Sequence, residues 1–149
     1  MATSFIVFGL LLLVILLIIA SITWTSVHQQ WANLSRRGVV VSAIPSIIML
    51  ILFYSLAIHM RVSLGGWPQS IGEVGFPGPL VAHAHISCWY FSTLLLVSLV
   101  AWPVVIALLF ALKRLRKYIP HASLFELVFF ICFLLMLIAP ARFLNWWWD

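Results

Sequence analysis

Four apolar stretches divide this chain: Phe5 to Thr25, Val39 to His59, His83 to Leu112 and Ser123 to Phe143. Each is near or above the ~20 residues that carry a helix across about 30 Å of hydrocarbon. Inside a bilayer every backbone polar group must be satisfied within its own segment, so such stretches become helices. With 65% apolar and 7% charged residues in 149, the polar surface is too small to cover a water-soluble domain of this size. The expected fold is all-α: an integral membrane four-helix bundle forming a single domain over residues 1–149. The connections are too short to hold a soluble module. The first stretch lacks a basic n-region and exceeds the usual h-region of about 7 to 15 residues, so it reads as a retained span.

Charge placement gives orientation. Arg36 and Arg37 fall in the first connection, and Lys113, Arg114, Arg116 and Lys117 in the third, against Arg61 and Arg142 elsewhere. If all four segments span, those two connections share a side. The positive-inside rule then makes the loops near Arg36 and Lys113 cytoplasmic, with both termini outside. The run "KRLRKYIPH" is a topology signal first and a headgroup anchor second. The formal charge of +5 therefore does not point to nucleic acid, because no folded platform displays base-reading side chains. Trp24 and Trp31 fall near the inner interface; Trp67, Trp89 and the terminal "NWWWD" fall near the outer one, where Trp146 to Trp148 are expected to anchor the last helix.

Proline and glycine predict the departures from straight helix. Pro45 and Pro103 lie inside the second and third spans and should bend them. Gly38 is placed to reverse the chain after the first span. The segment "MRVSLGGWPQSIGEVGFPGP" holds five of the seven glycines and three of the seven prolines, a turn-rich excursion that Trp67 can order by folding onto the helix ends. Ser42, Ser46, Tyr54, Ser55, Ser92, Thr93 and Ser98 put hydroxyls on the second and third spans, which marks them as the packed interior.

Glu126 is the one acidic residue in a predicted span, and intramembrane carboxylates are functional candidates by default. "SLFE" also matches a capping box, with Ser123 and Glu126 satisfying each other's amides at the start of the fourth helix beside the basic loop. The capping reading is preferred to a proton-relay carboxylate.

The candidate cofactor-binding residues are His59, His85, His83, His28 and His121. They fall in two interfacial layers: His59, His83 and His85 outside, His28 and His121 inside. Neighbours two apart on a helix differ by about 200° in direction, so His83 and His85 cannot both face the bundle if Pro79 opens a helix. The stripe 85, 88, 89, 92, 96 and 99 favours His85 as the inward member. An imidazole-rich site suits haem iron or a transition metal, and two layers would make a transmembrane electron wire. That arrangement resembles, in architecture only, the four-helix core of cytochrome b561-type proteins. Cys88 and Cys132 sit near opposite ends of the membrane and are not expected to pair.

The "LGGWP" of Leu64 to Pro68 resembles the outer loop of small four-span bacterial membrane proteins that carry an LG, any residue, WP pattern. The resemblance covers that loop and the number of spans. It implies a bacterial inner membrane and brings no assigned activity. No nucleophile and base pair, paired carboxylates or phosphate loop can be placed, so an enzyme acting alone is not expected. Three functions follow in order: a non-catalytic accessory subunit or scaffold packing against other integral membrane subunits; a histidine-ligated haem or metal protein in electron transfer; and a small transporter using Glu126, Tyr54, Ser55 and Ser92.

Overall fold

A computed structural model describes residues 18–24, 34–68 and 75–148. The described residues form helices and turns, with no strand. They contain α1 (Arg36–Ser63), α2 (Gly78–Leu96), a π-helical turn (Val97–Ala101), α3 (Trp102–Ala111), a 3-10 segment (Lys113–Tyr118), α4 (Ile119–Met136) and α5 (Ala141–Trp148). Residues 18–24 are helical too. Among the described residues, three helical stretches are long and apolar enough to cross a membrane: Arg36–Ser63, Gly78–Ala111 and Lys113–Met136. The predicted first span lies outside the described residues except for 18–24.

Ser35 starts α1 from an extended backbone, its Oγ accepting from the Gly38 amide at 3.0 Å. Gly38 therefore lies inside the helix and does not reverse the chain. Its value is the missing side chain: a Cβ there would stand 2.3 Å from His121 Nε2. This close approach sets the basic start of α1 beside the basic 3-10 segment that leads into α4, so six of the eight cationic residues gather at one end. α1 and α4 run in the same direction, tied near the other end by Tyr54 Oη donating to the Leu135 carbonyl at 2.7 Å. After Leu64, Gly65 turns the chain at φ 63, a left-handed conformation that favours glycine. Trp67 then folds back beneath the Arg61 guanidinium, 5.3 Å from its ring, and against Phe143 at 6.0 Å.

A π turn, Val97–Ala101, stands just before Pro103. Proline cannot donate to the carbonyl four residues back, and its ring would strike that carbonyl; the wider turn accommodates both effects. The turn also changes partners: α2 packs on α1, whereas α3 packs on α4. One long apolar helix is thereby shared between two neighbours, with Ser98 at the junction.

The fourth predicted span, Ser123 to Phe143, is displaced. Its helix starts at Ile119, with Pro120 in the first turn, and ends at Met136 because Pro140 cannot continue it. Phe143 belongs to α5, which turns back onto the bundle. Phe143 is fully buried against Phe53 with centroids 5.0 Å apart, and Trp147 meets Phe53 at 5.0 Å and Phe91 at 5.6 Å. Most of the terminal tryptophan run is thus folded against the chain's own aromatics, although Trp148 stays half exposed. Only 22%, 28% and 39% of the apolar windows of the three long stretches are buried, so most of their surface is left for lipid.

Candidate functional site

Two polar clusters lie within the helices. Near the Arg61 end, His59 on α1 and His83 on α2 meet through Nδ1 atoms 3.0 Å apart, with ring centroids 5.3 Å apart. His83 Nε2 is 3.2 Å from Ser55 Oγ, and Ser55 Oγ is 3.0 Å from the Leu52 carbonyl. A carbonyl only accepts, so Ser55 donates to Leu52 and receives from His83 Nε2–H. His83 Nδ1 is then an acceptor, and His59 Nδ1–H donates to it. The chain of donors runs one way, from His59 through His83 and Ser55 to the backbone of α1. It is a latch between α1 and α2, built one turn inside the membrane end.

His85 does not face the bundle. The buried stripe of α2 is Leu80, Ala84, Ser87, Phe91 and Leu94, which turns His85 and Trp89 outward. Both faces of this helix are apolar, so hydrophobic period alone gave no phase. Small residues set it, because Ala84 and Ser87 let α1 approach. His121 lies at the opposite end against Gly38, and its Nδ1 is buried without a hydrogen-bond partner. His28 lies outside the described residues. The layered placement thus separates His59 and His83 from His121, but the outer pair contacts itself. Two axial imidazoles on one iron would stand roughly 4 Å apart across a porphyrin, with bonds of about 2 Å; the His59–His83 contact leaves no such slot. Among the described residues no three His, Cys, Asp or Glu side chains gather in a metal-holding group.

The second cluster centres on Glu126, which is 1% exposed. The capping box does not form: Ser123 lies more than a turn inside α4, and its Oγ donates to the Ile119 carbonyl at 2.9 Å. That back-bond replaces the cap, and Glu126 falls on the buried stripe with Ile119, Ser123, Phe129, Cys132 and Met136. Its Oε1 accepts from Ser98 Oγ on the π turn. Its Oε2 has no hydrogen-bond partner among the described residues. Trp102 Nε1 donates to the Ala122 carbonyl at 2.9 Å, one turn away, and holds α3 to α4 beside the pair. An apolar groove lined by Val97, Ala101, Trp102, Val105, Ala122 and Phe125 runs along the same junction.

Sequence reasoning named Ser55 and Ser98 among the interior hydroxyls, and Ser55 in the transport set, but paired neither with His83 or Glu126. Ser98 had a visible signal, since it stands five residues before Pro103, where a widened turn re-aims side chains. Ser55 had none beyond its spacing of four from His59. No family model matches the chain, and no match is found among curated proteins or solved structures.

Proposed function

We propose that this chain is a small non-catalytic integral membrane subunit that packs among other membrane helices of a larger complex. The observation that carries this reading is what the interior polar groups are bonded to. Tyr54 binds the Leu135 carbonyl, Ser87 the Leu52 carbonyl at 3.4 Å, Tyr90 the Pro45 carbonyl at 3.1 Å and Trp102 the Ala122 carbonyl. Each ties one helix to the backbone of another. A transport path needs polar groups turned to a passage, and a redox protein needs ligands turned to a cofactor; here the side chains join helices together. Of the suggested transport set, Tyr54 is among these ties, Ser55 is bonded to the Leu52 carbonyl of its own helix, and Ser92 is on the outer face of α2.

In this reading the chain spans a bacterial inner membrane four times, N-out and C-out, with the Arg36 and Lys113 ends cytoplasmic. Its uncovered apolar faces meet lipid and neighbouring subunits. Extraction from native membranes in mild detergent, followed by native gels and mass spectrometry of the tagged chain, tests it. The expected result is co-migration with a defined set of integral membrane proteins in fixed ratio. A solitary monomer under several mild conditions would refute it.

A further inference from the structure

Glu126 is the acidic member of the buried polar groups that depart from that pattern. We propose that it is a proton-binding carboxyl within the membrane, able to gain and lose a proton without rearranging the helices. As a carboxylate, Oε1 accepts from Ser98 and Oε2 accepts from nothing. As an acid with the proton on Oε2, the same bond to Ser98 is kept and the new O–H donates to nothing. Either state leaves one hydrogen bond unmade, so the number of hydrogen bonds alone fixes neither. A carboxyl held only to join helices would be expected to have both oxygens bonded.

The neighbours agree. Ser46 on the α1 face packed against α4 is fully buried, and its Oγ is likewise without a partner. The register set by Gly38 beside His121 and Tyr54 beside Leu135 brings Ser46 to within about a turn of Glu126. The hydrogen bond to the Ser98 hydroxyl is the polar contact of this buried carboxyl among the described residues. On the elements packed around it, the titratable groups between the helix ends are Tyr54 and His59 on α1, His83, His85, Cys88 and Tyr90 on α2, and His121 and Cys132 on α4; His59 and His83 bond each other near the Arg61 end, and Cys132 lies on the same buried stripe of α4 more than a turn further on. The two tyrosines are bonded to carbonyls elsewhere, and His121 is more than a turn nearer the basic end. Arg36, Arg37 and the Lys113–Lys117 cluster lie at the helix ends. An apolar groove opens along the same helix junction, lined by Val97 and Phe125, the sequence neighbours of Ser98 and Glu126, while the pair itself is buried.

Dicyclohexylcarbodiimide tests this, because it partitions into lipid and adds to protonated carboxyls shielded from water. The full chain in liposomes is treated over a range of pH and the adduct located by mass spectrometry. Glu126 should label, labelling should fall as pH rises, and sodium or potassium at fixed pH should not protect it. Ser98→Ala removes the bond that favours the carboxylate and should increase labelling at fixed pH by about tenfold. Infrared spectroscopy of the unmodified wild type reads the carboxylic C=O band directly, which keeps the test independent of whether a variant folds. A C=O band insensitive to pH, absence of the Glu126 adduct from folded protein, or protection by sodium would each overturn the proposal.

Discussion

Replacing Phe143 with Ala tests the position of α5. The ring is fully buried and sits at the centre of an aromatic set: 5.0 Å from Phe53, 6.0 Å from Trp67, 6.1 Å from Trp146 and 6.2 Å from Trp147. In a soluble core a buried Phe to Ala change costs about 3 to 5 kcal/mol. In lipid part of that transfer term vanishes, because hydrocarbon is as apolar as the core. What remains is the cavity and the lost ring contacts, with paired aromatics contributing about 0.5 to 1.5 kcal/mol each beyond area. A net loss of about 2 to 3 kcal/mol follows. An eight-residue helix is unstable alone, so α5 stays helical only while docked. Losing about 2.8 kcal/mol lowers the docking constant by roughly a hundredfold, which releases α5 and leaves the three long helices assembled. Tryptophan emission in detergent should shift to the red as Trp146 and Trp147 leave their contacts, and the C-terminal residues should become open to carboxypeptidase. Unchanged emission and protease resistance in Phe143→Ala would refute the aromatic docking of α5.

Further expectations concern the two helix junctions. Gly38→Ala sets a Cβ 2.3 Å from His121 Nε2 and should destabilise the fold by about 1 to 3 kcal/mol in detergent melts. In a His121→Ala background the same change should stabilise by up to about 1 kcal/mol, since alanine is the better helix former; destabilisation in both backgrounds would contradict the close approach. Pro103→Ala restores an amide able to bond the Leu99 carbonyl, so the π turn should tighten and turn Ser98 away from Glu126. Carbodiimide labelling should then match that of Ser98→Ala, and wild-type labelling would show that the proline does not hold the turn.

The positions of the long helices were legible because hydrocarbon thickness sets their length and the polar breaks are sharp. Leu64 to Pro68 was legible as a turn, and Trp67 does fold onto the helix ends. Facing was not legible. His85 shared a stripe with Cys88 and Ser92, yet His83 is the inward residue, since polarity along a helix in lipid does not reveal which side packs. Glu126 was misread for a different reason. "SLFE" is a complete capping pattern, but Pro120 lets the helix begin one turn earlier, which carries Ser123 and Glu126 from its start into its interior. The end of that helix was overrun because apolar sequence continues past Pro140, where the backbone cannot.

The most direct test of the account is the side of the membrane on which each end of α1 lies, together with the basic 3-10 segment that leads into α4. Single cysteines replacing Arg37, Ser63 and Arg114 in a Cys88→Ser, Cys132→Ser background, probed in intact membranes with an impermeant maleimide, give the answer. The predicted result is that positions 37 and 114 react from one side and position 63 from the other. Labelling of 37 and 114 from opposite sides, or of all three from the same side, would contradict it.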